Sequence, residues 1–229
     1  MLGDDHYHDM QSKLFDALEA GGIATAVPLR ARYIGVARCL TVLAFVPTTV
    51  ATAIGSRLIR PLRAAGPSHH FYSPGDLHVT VKNVRRASEV ATYTCKDIAI
   101  ARRVLVDSIR RLPRFTFRLR GLLLLPGSIA VRAYATPSYV SVVNIFDDAL
   151  RSAGIPDDKV YQSTDIYFGN VTICRYTSPP DDLILKRADD LRSLDLGELS
   201  VSQLHLVECD EVCSQSSRLL HATARIGCT

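Results

Sequence analysis

The sequence predicts an α+β fold of two related halves whose antiparallel sheets form one concave groove with helices outside. Three observations carry that expectation. Runs rich in β-branched and aromatic residues alternate with runs whose apolar residues recur at helical spacing. The order strand, helix, strand, helix, strand occurs twice between residues 38 and 210. Each cycle also contains an apolar strand carrying two polar residues two positions apart: His78-Val79-Thr80 in the first and Asn170-Val171-Thr172 in the second. Side chains alternate across a strand, so each polar pair shares one face and the apolar residues share the other.

Residues 8–20 read as a short amphipathic helix stopped at Gly21-Gly22. Residues 1–35 are therefore assigned to an N-terminal helical extension and 36–229 to a bilobal domain. A strand over 38–47 leads into a helix ended by Gly66-Pro67, whose threonines are expected to cap it. The turn Ser73-Pro74-Gly75-Asp76 precedes the first motif strand. A helix over 96–112 and a strand over 114–127, closed by Pro126-Gly127, complete the first cycle. The second cycle has strands at 128–135, 165–177 and 199–210, with helices at 138–154 and 181–194. "RLLHATARIG" reads as a last edge strand.

With 229 residues and a hydrophobic fraction of 47%, the chain can bury one sizeable core. Its formal charge of +4, with arginine well represented, suits an anionic partner. The N-terminus is acidic and polar, unlike a secretory signal. The most apolar run, residues 39–54, holds a proline and is short for a membrane span. Six cysteines lie in no paired framework, and Cys39 and Cys174 fall inside apolar strands. Free thiols in a reducing, cytoplasmic setting are therefore expected, and the sequon Asn170-Val171-Thr172 is read as part of the strand motif instead of a glycosylation site. Cys209 and Cys213, with His205 and His221 near, match no common zinc spacing. There is no glycine-rich phosphate loop, so neither metal nor cofactor is expected.

The stretches "FYSPGDLHVTVKNV", "FTFRLRGLLLLPG", "FGNVTICRYTSPP" and "LSVSQLHLVECD" resemble the 2H phosphoesterase superfamily, which includes RNA 2′,5′-ligase-like proteins and cyclic phosphodiesterases. The resemblance covers roughly residues 36–210. It implies metal-independent hydrolysis of a 2′,5′- or cyclic phosphodiester in a nucleotide or an RNA end. By position, His78 matches the first motif histidine, and Thr80 and Thr172 match the hydroxyls. Position 170 departs from the pattern, with asparagine where the family has histidine. Two imidazoles can hold opposite protonation states, one taking a proton from the nucleophile and the other giving one to the leaving oxygen. A carboxamide keeps a donor and an acceptor but does not titrate near neutrality.

Asn170 is accordingly expected to impair turnover, and three explanations stay open. The chain is a natural nucleotide or RNA-end binder, an inactivated variant, or an enzyme in which His69, His70 or Tyr167 has taken over the role. Tyr72 and Tyr167 are candidates to stack a base, and Arg175 to hold phosphate. Each residue also has an ordinary reading. His78 can be a satisfied core histidine, the threonines β-formers, the tyrosines packing residues and Gly169-Asn170 a turn. Arg175 shares the face of Asn170 only if a bulge intervenes. The oligomeric state is not legible.

Overall fold

The computed structural model describes residues 4–21, 36–156 and 167–227. Helix α1 (Asp4–Glu19) comes first, then β1 (Arg38–Phe45) and α2 (Thr48–Ile54). A π-helical segment, Gly55–Ile59, continues α2 into α3 (Arg60–Ala65). The threonines do not cap α2: Pro47 stands at its N-cap, and Thr52 instead donates to the carbonyl of Thr48 at 2.8 Å. The short β2 (His70–Phe71) and a 3-10 turn (Pro74–Asp76) precede β3 (His78–Ser88). Next are α4 (Cys95–Ser108), β4 (Thr116–Leu125), β5 (Ser128–Ala135) and α5 (Ser138–Ser152). Last are β6 (Gly169–Arg175), α6 (Asp182–Asp190), β7 (Asp195–Ser200), β8 (Gln203–Cys209) and β9 (Leu219–Arg225). Side-chain caps fix two helix starts: Thr94 with Asp97 forms a reciprocal capping box on α4, and Asp181 accepts from the Ile184 amide on α6 at 3.0 Å.

The nine strands of the described residues pair antiparallel in one sheet, ordered β7-β4-β5-β6-β3-β1-β8-β9, with β2 beside β6. The sheet is two half-sheets joined along β3 and β6 by the pair Val79–Val171. The motif strands are thus immediate neighbours, closer than two walls facing across a groove.

The half-sheets do not coincide with the two sequence cycles. β4, the last strand of the first cycle, pairs with β5 and β7, while β8 of the second cycle pairs with β1. The connection explains the first exchange. Only Pro126-Gly127 separates β4 from β5, and a two-residue turn forces adjacent antiparallel pairing.

The largest core lies on one face of the sheet. Val42, Val79, Val131, Val171 and Ile173 pack there against Ile54, Leu62, Leu105, Phe146 and Ile184 from α2 to α6. The buried pair Lys82–Asp147, 2.6 Å apart, ties β3 to α5 inside it. Helix α1 is the exception to helices lying on that face. Its Phe15 and Leu18 pack on Leu123, Ala130, Tyr134 and Phe168, on the opposite face of the second half-sheet. On the first half-sheet, Leu43 and Val207 are buried with Cys209 and with Cys213 of the β8–β9 connection. The open ground between these two coverings is where the motifs lie.

Candidate active site

The pairing Val79–Val171 sets the site. Continued by one residue each way, an antiparallel register puts His78 beside Thr172 and Thr80 beside Asn170. The buried valines point to the core, and all four polar side chains remain half-buried on the other face. His78 and Asn170 are then diagonal neighbours, roughly 7–8 Å apart along the sheet and somewhat less at Cβ, on the wall of one cavity. Gly169 lets β6 approach this closely, because a Cβ there would sit 2.8 Å from both Phe117 and Val79. The residue opens the strand and is not part of a turn.

Both motif strands carry a bulge just past the threonine. On β3, Leu43 pairs with Thr80 and Val42 with Lys82, leaving Val81 over. On β6, Ala130 pairs with Thr172 and Ile129 with Cys174, leaving Ile173 over. The extra residue reverses the alternation that follows, and this is why Arg175, like Asn83 on β3, joins the motif residues.

These side chains line a cavity of about 970 Å³, at the upper end of small-molecule sites. His78, Thr80, Asn170, Thr172, Tyr72 and Arg175 all border it. The other candidates do not. Tyr167 is buried, its hydroxyl donating to Asn144 Oδ1 at 3.2 Å. His69 accepts from the Thr177 amide at 3.4 Å, edge-on to Tyr176. His70, on β2, pairs with Arg175 and packs edge-on against Tyr72, behind these two lining residues. None of the three is among the residues that line the cavity beside Asn170. His205 and His221 are engaged by Thr223 and Glu208, apart from the thiols of Cys209 and Cys213.

His78 Nδ1 lies 2.7 Å from the carbonyl of Asp76. A carbonyl only accepts, so Nδ1 carries the proton and Nε2 is the free acceptor of the neutral ring. Burial pushes the pKa of His78 below the usual 6.5; the Arg218 and Arg175 charges push the same way, and the Asp76 hydrogen bond opposes them. The ring is therefore neutral at pH 7, in the tautomer of a general base.

Several partners have no local sequence signal. Arg218, 142 residues from Asp76, holds its carboxylate at 3.1 Å and donates to the Gly75 carbonyl at 3.2 Å. Ser73 and the Gln215 amide complete the Asp76 carboxylate, at 2.6 and 3.0 Å. Arg175 donates to the Tyr72 hydroxyl at 3.4 Å, with Glu211 3.9 Å away. Past Thr80, β3 adds Asn83, Arg85 and Arg86 to the lining.

No family model matches the sequence, and no curated protein sequence matches it either. Solved structures do. A crystal structure from Thermus thermophilus aligns with a TM-score of 0.62 at 13% identity, covering 82% of this chain and 97% of that one. A structure described as a phosphoesterase aligns at 0.52 with 14% identity, covering 83% and 98%. E. coli LigT complexed with ATP aligns at 0.53 with 13% identity, over the same shares of 83% and 98%.

Proposed function

We propose that this chain, which has the fold of the LigT-like 2H phosphoesterases, is a metal-independent phosphoesterase acting on a nucleotide or an RNA end. The bond cut is a 2′,5′- or cyclic phosphodiester, and Asn170 slows the reaction. The observation that supports this best is the adjacency of the motif strands, with His78, Thr80, Asn170 and Thr172 on one cavity wall. His78 Nε2 takes the proton from the attacking oxygen. Thr80 and Thr172 donate to the phosphoryl oxygens as charge builds, and Arg175 offsets that charge. Tyr72 borders the substrate and steadies the Arg175 guanidinium through its hydroxyl. E. coli LigT has been crystallised with ATP and with NADP+, which favours a nucleotide in the cavity.

A second reading rests on Asn170 alone. Without a titrating group there, the site binds a nucleotide or RNA terminus and does not turn it over. A turnover assay on 2′,3′-cyclic nucleotides and 2′,5′-oligoadenylate separates the two. Hydrolysis by the native chain that drops on the order of 10²–10⁴-fold in His78→Ala supports the enzyme. Equal rates in the two proteins overturn it, and binding without hydrolysis supports the second reading.

A further inference from the structure

The two ends of the cavity are chemically unlike. At the His78 end, one ring nitrogen is fixed by the Asp76 carbonyl and the other is free to accept a proton. At the Asn170 end stands a carboxamide, which donates hydrogen bonds but releases no proton near neutral pH. The cation directly across the strand pair from Asn170 is Arg132 of β5, and it is already engaged. Its guanidinium meets Asp16 at 3.1 Å and Glu19 at 2.9 Å, both on α1. Tyr167, His69 and His70 do not reach the lining. Along β3, in the direction leading away from His78, the cavity is bordered by Asn83, Arg85 and Arg86. One end thus takes a proton, while the other offers positive charge and amide donors and, among the described residues, holds no group placed like a second motif histidine.

We infer that the site selects substrates whose leaving group departs as an anion without being protonated: a nucleotide phosphoanhydride, or an activated phosphodiester, in preference to an ester of a ribose hydroxyl. This rests on the phosphoesterase reading of the same site. The step balances without an acid. A water oxygen bonds to phosphorus while one of its protons passes to His78 Nε2. The bond from phosphorus to the leaving oxygen breaks, and both its electrons leave with that oxygen. The leaving group exits as phosphate or phenolate, and His78 returns its proton to solvent. A ribose alkoxide is too basic to leave this way and needs the proton that Asn170 cannot supply. Toward 2′,5′- and cyclic esters the site then binds well and turns over slowly.

The test compares leaving groups at constant nucleotide. The native chain, Asn170→His and His78→Ala are assayed on a nucleoside 5′-phosphate p-nitrophenyl ester, the corresponding methyl ester and a dinucleoside diphosphate, with thermal melts confirming that each variant folds. The expected result is His78-dependent cleavage of the p-nitrophenyl ester and the diphosphate by the native chain, with the methyl ester cut at least about 10²-fold more slowly. Asn170→His then narrows that gap by about 10²-fold or more. Its pH profile becomes bell-shaped, where that of the native chain has a single acid limb. His78-dependent cleavage with the same selectivity in the native chain and Asn170→His overturns the inference and leaves the phosphoesterase reading standing. Cleavage by Asn170→His alone also overturns the inference, and it favours the binding reading of the native chain over the phosphoesterase one. Absence of His78-dependent cleavage of every substrate by both proteins overturns the two together.

Discussion

At the residue scale, the tautomer of His78 is decided by a main-chain group. The Asp76 carbonyl takes the Nδ1 proton, and Arg218, Ser73 and the Gln215 amide hold Asp76 in place. The consequence for pH has a definite sign. The base is the neutral ring, and burial favours that form, so activity is lost as pH falls through a pKa lying below 6.5. The plot of kcat/KM against pH is expected to reach a plateau on the alkaline side and to fall on the acid side with a midpoint below 6.5. An acid limb centred above 6.5 would contradict a half-buried His78 held neutral. The same shift makes the unfolded chain the better proton binder between the two pKa values, so His78 also lowers stability as pH drops through that window. The polar-x-threonine pairs were legible in the sequence because alternation along a strand is local. The role of Arg175 was legible only conditionally, since a bulge at Ile173 has no distinctive sequence.

At the element scale, β3 works on both faces. Its cavity face carries His78 and Thr80, and its core face carries the Lys82–Asp147 pair, with side chains 4% and 6% exposed. Removing one charge leaves the other buried without the ion partner 2.6 Å away. Lys82→Met is expected to lose about 3–5 kcal/mol, read from the urea midpoint. The double change Lys82→Met with Asp147→Leu should recover most of that loss, because apolar residues of similar volume fill the site without a buried charge. A loss in Lys82→Met below about 1 kcal/mol would show that the pair adds nothing to holding α5 on β3. The helices on this face were legible from their periodicity, and the turn Pro126-Gly127 announced a tight β4–β5 hairpin. What that hairpin implies, that β4 leaves its own sequence cycle for the other half-sheet, needs the partner strands to be known.

At the scale of the whole molecule, the cavity is framed by two segments far apart in the chain. The residue 210–218 connection reaches it from the first half-sheet, and α1 reaches it from the second. Helix α1 is locked down by more than apolar contact. Gln11 accepts from the Ala135 amide at 2.7 Å and donates to its carbonyl at 2.9 Å, and the Tyr7 hydroxyl is hydrogen-bonded to Tyr167. Phe15 is fully buried against Tyr134 and Phe168. Phe15→Ala is expected to cost about 3–5 kcal/mol and to lower the midpoint of thermal unfolding in a single transition with the rest of the chain. A separate early transition would mean that α1 melts independently, as an appended extension would. Among the described residues no helix is long and apolar enough to cross a membrane.

By itself the sequence determined where most strands and helices fall, which faces are apolar, and that two strands carry matched polar pairs with asparagine where a second histidine is expected; it read residues 199–210 as one strand where the chain divides between β7 and β8, and it missed β2. Those features depend on side-chain alternation, helical spacing and turn residues, which act over a few positions. Only the tertiary structure decided that the motif strands touch at Val79–Val171, that Tyr167 turns away from the cavity, and that Arg218 steadies His78 through Asp76. Register and contacts between residues far apart in the chain follow from how the whole chain packs. No short stretch of sequence carries that free energy by itself.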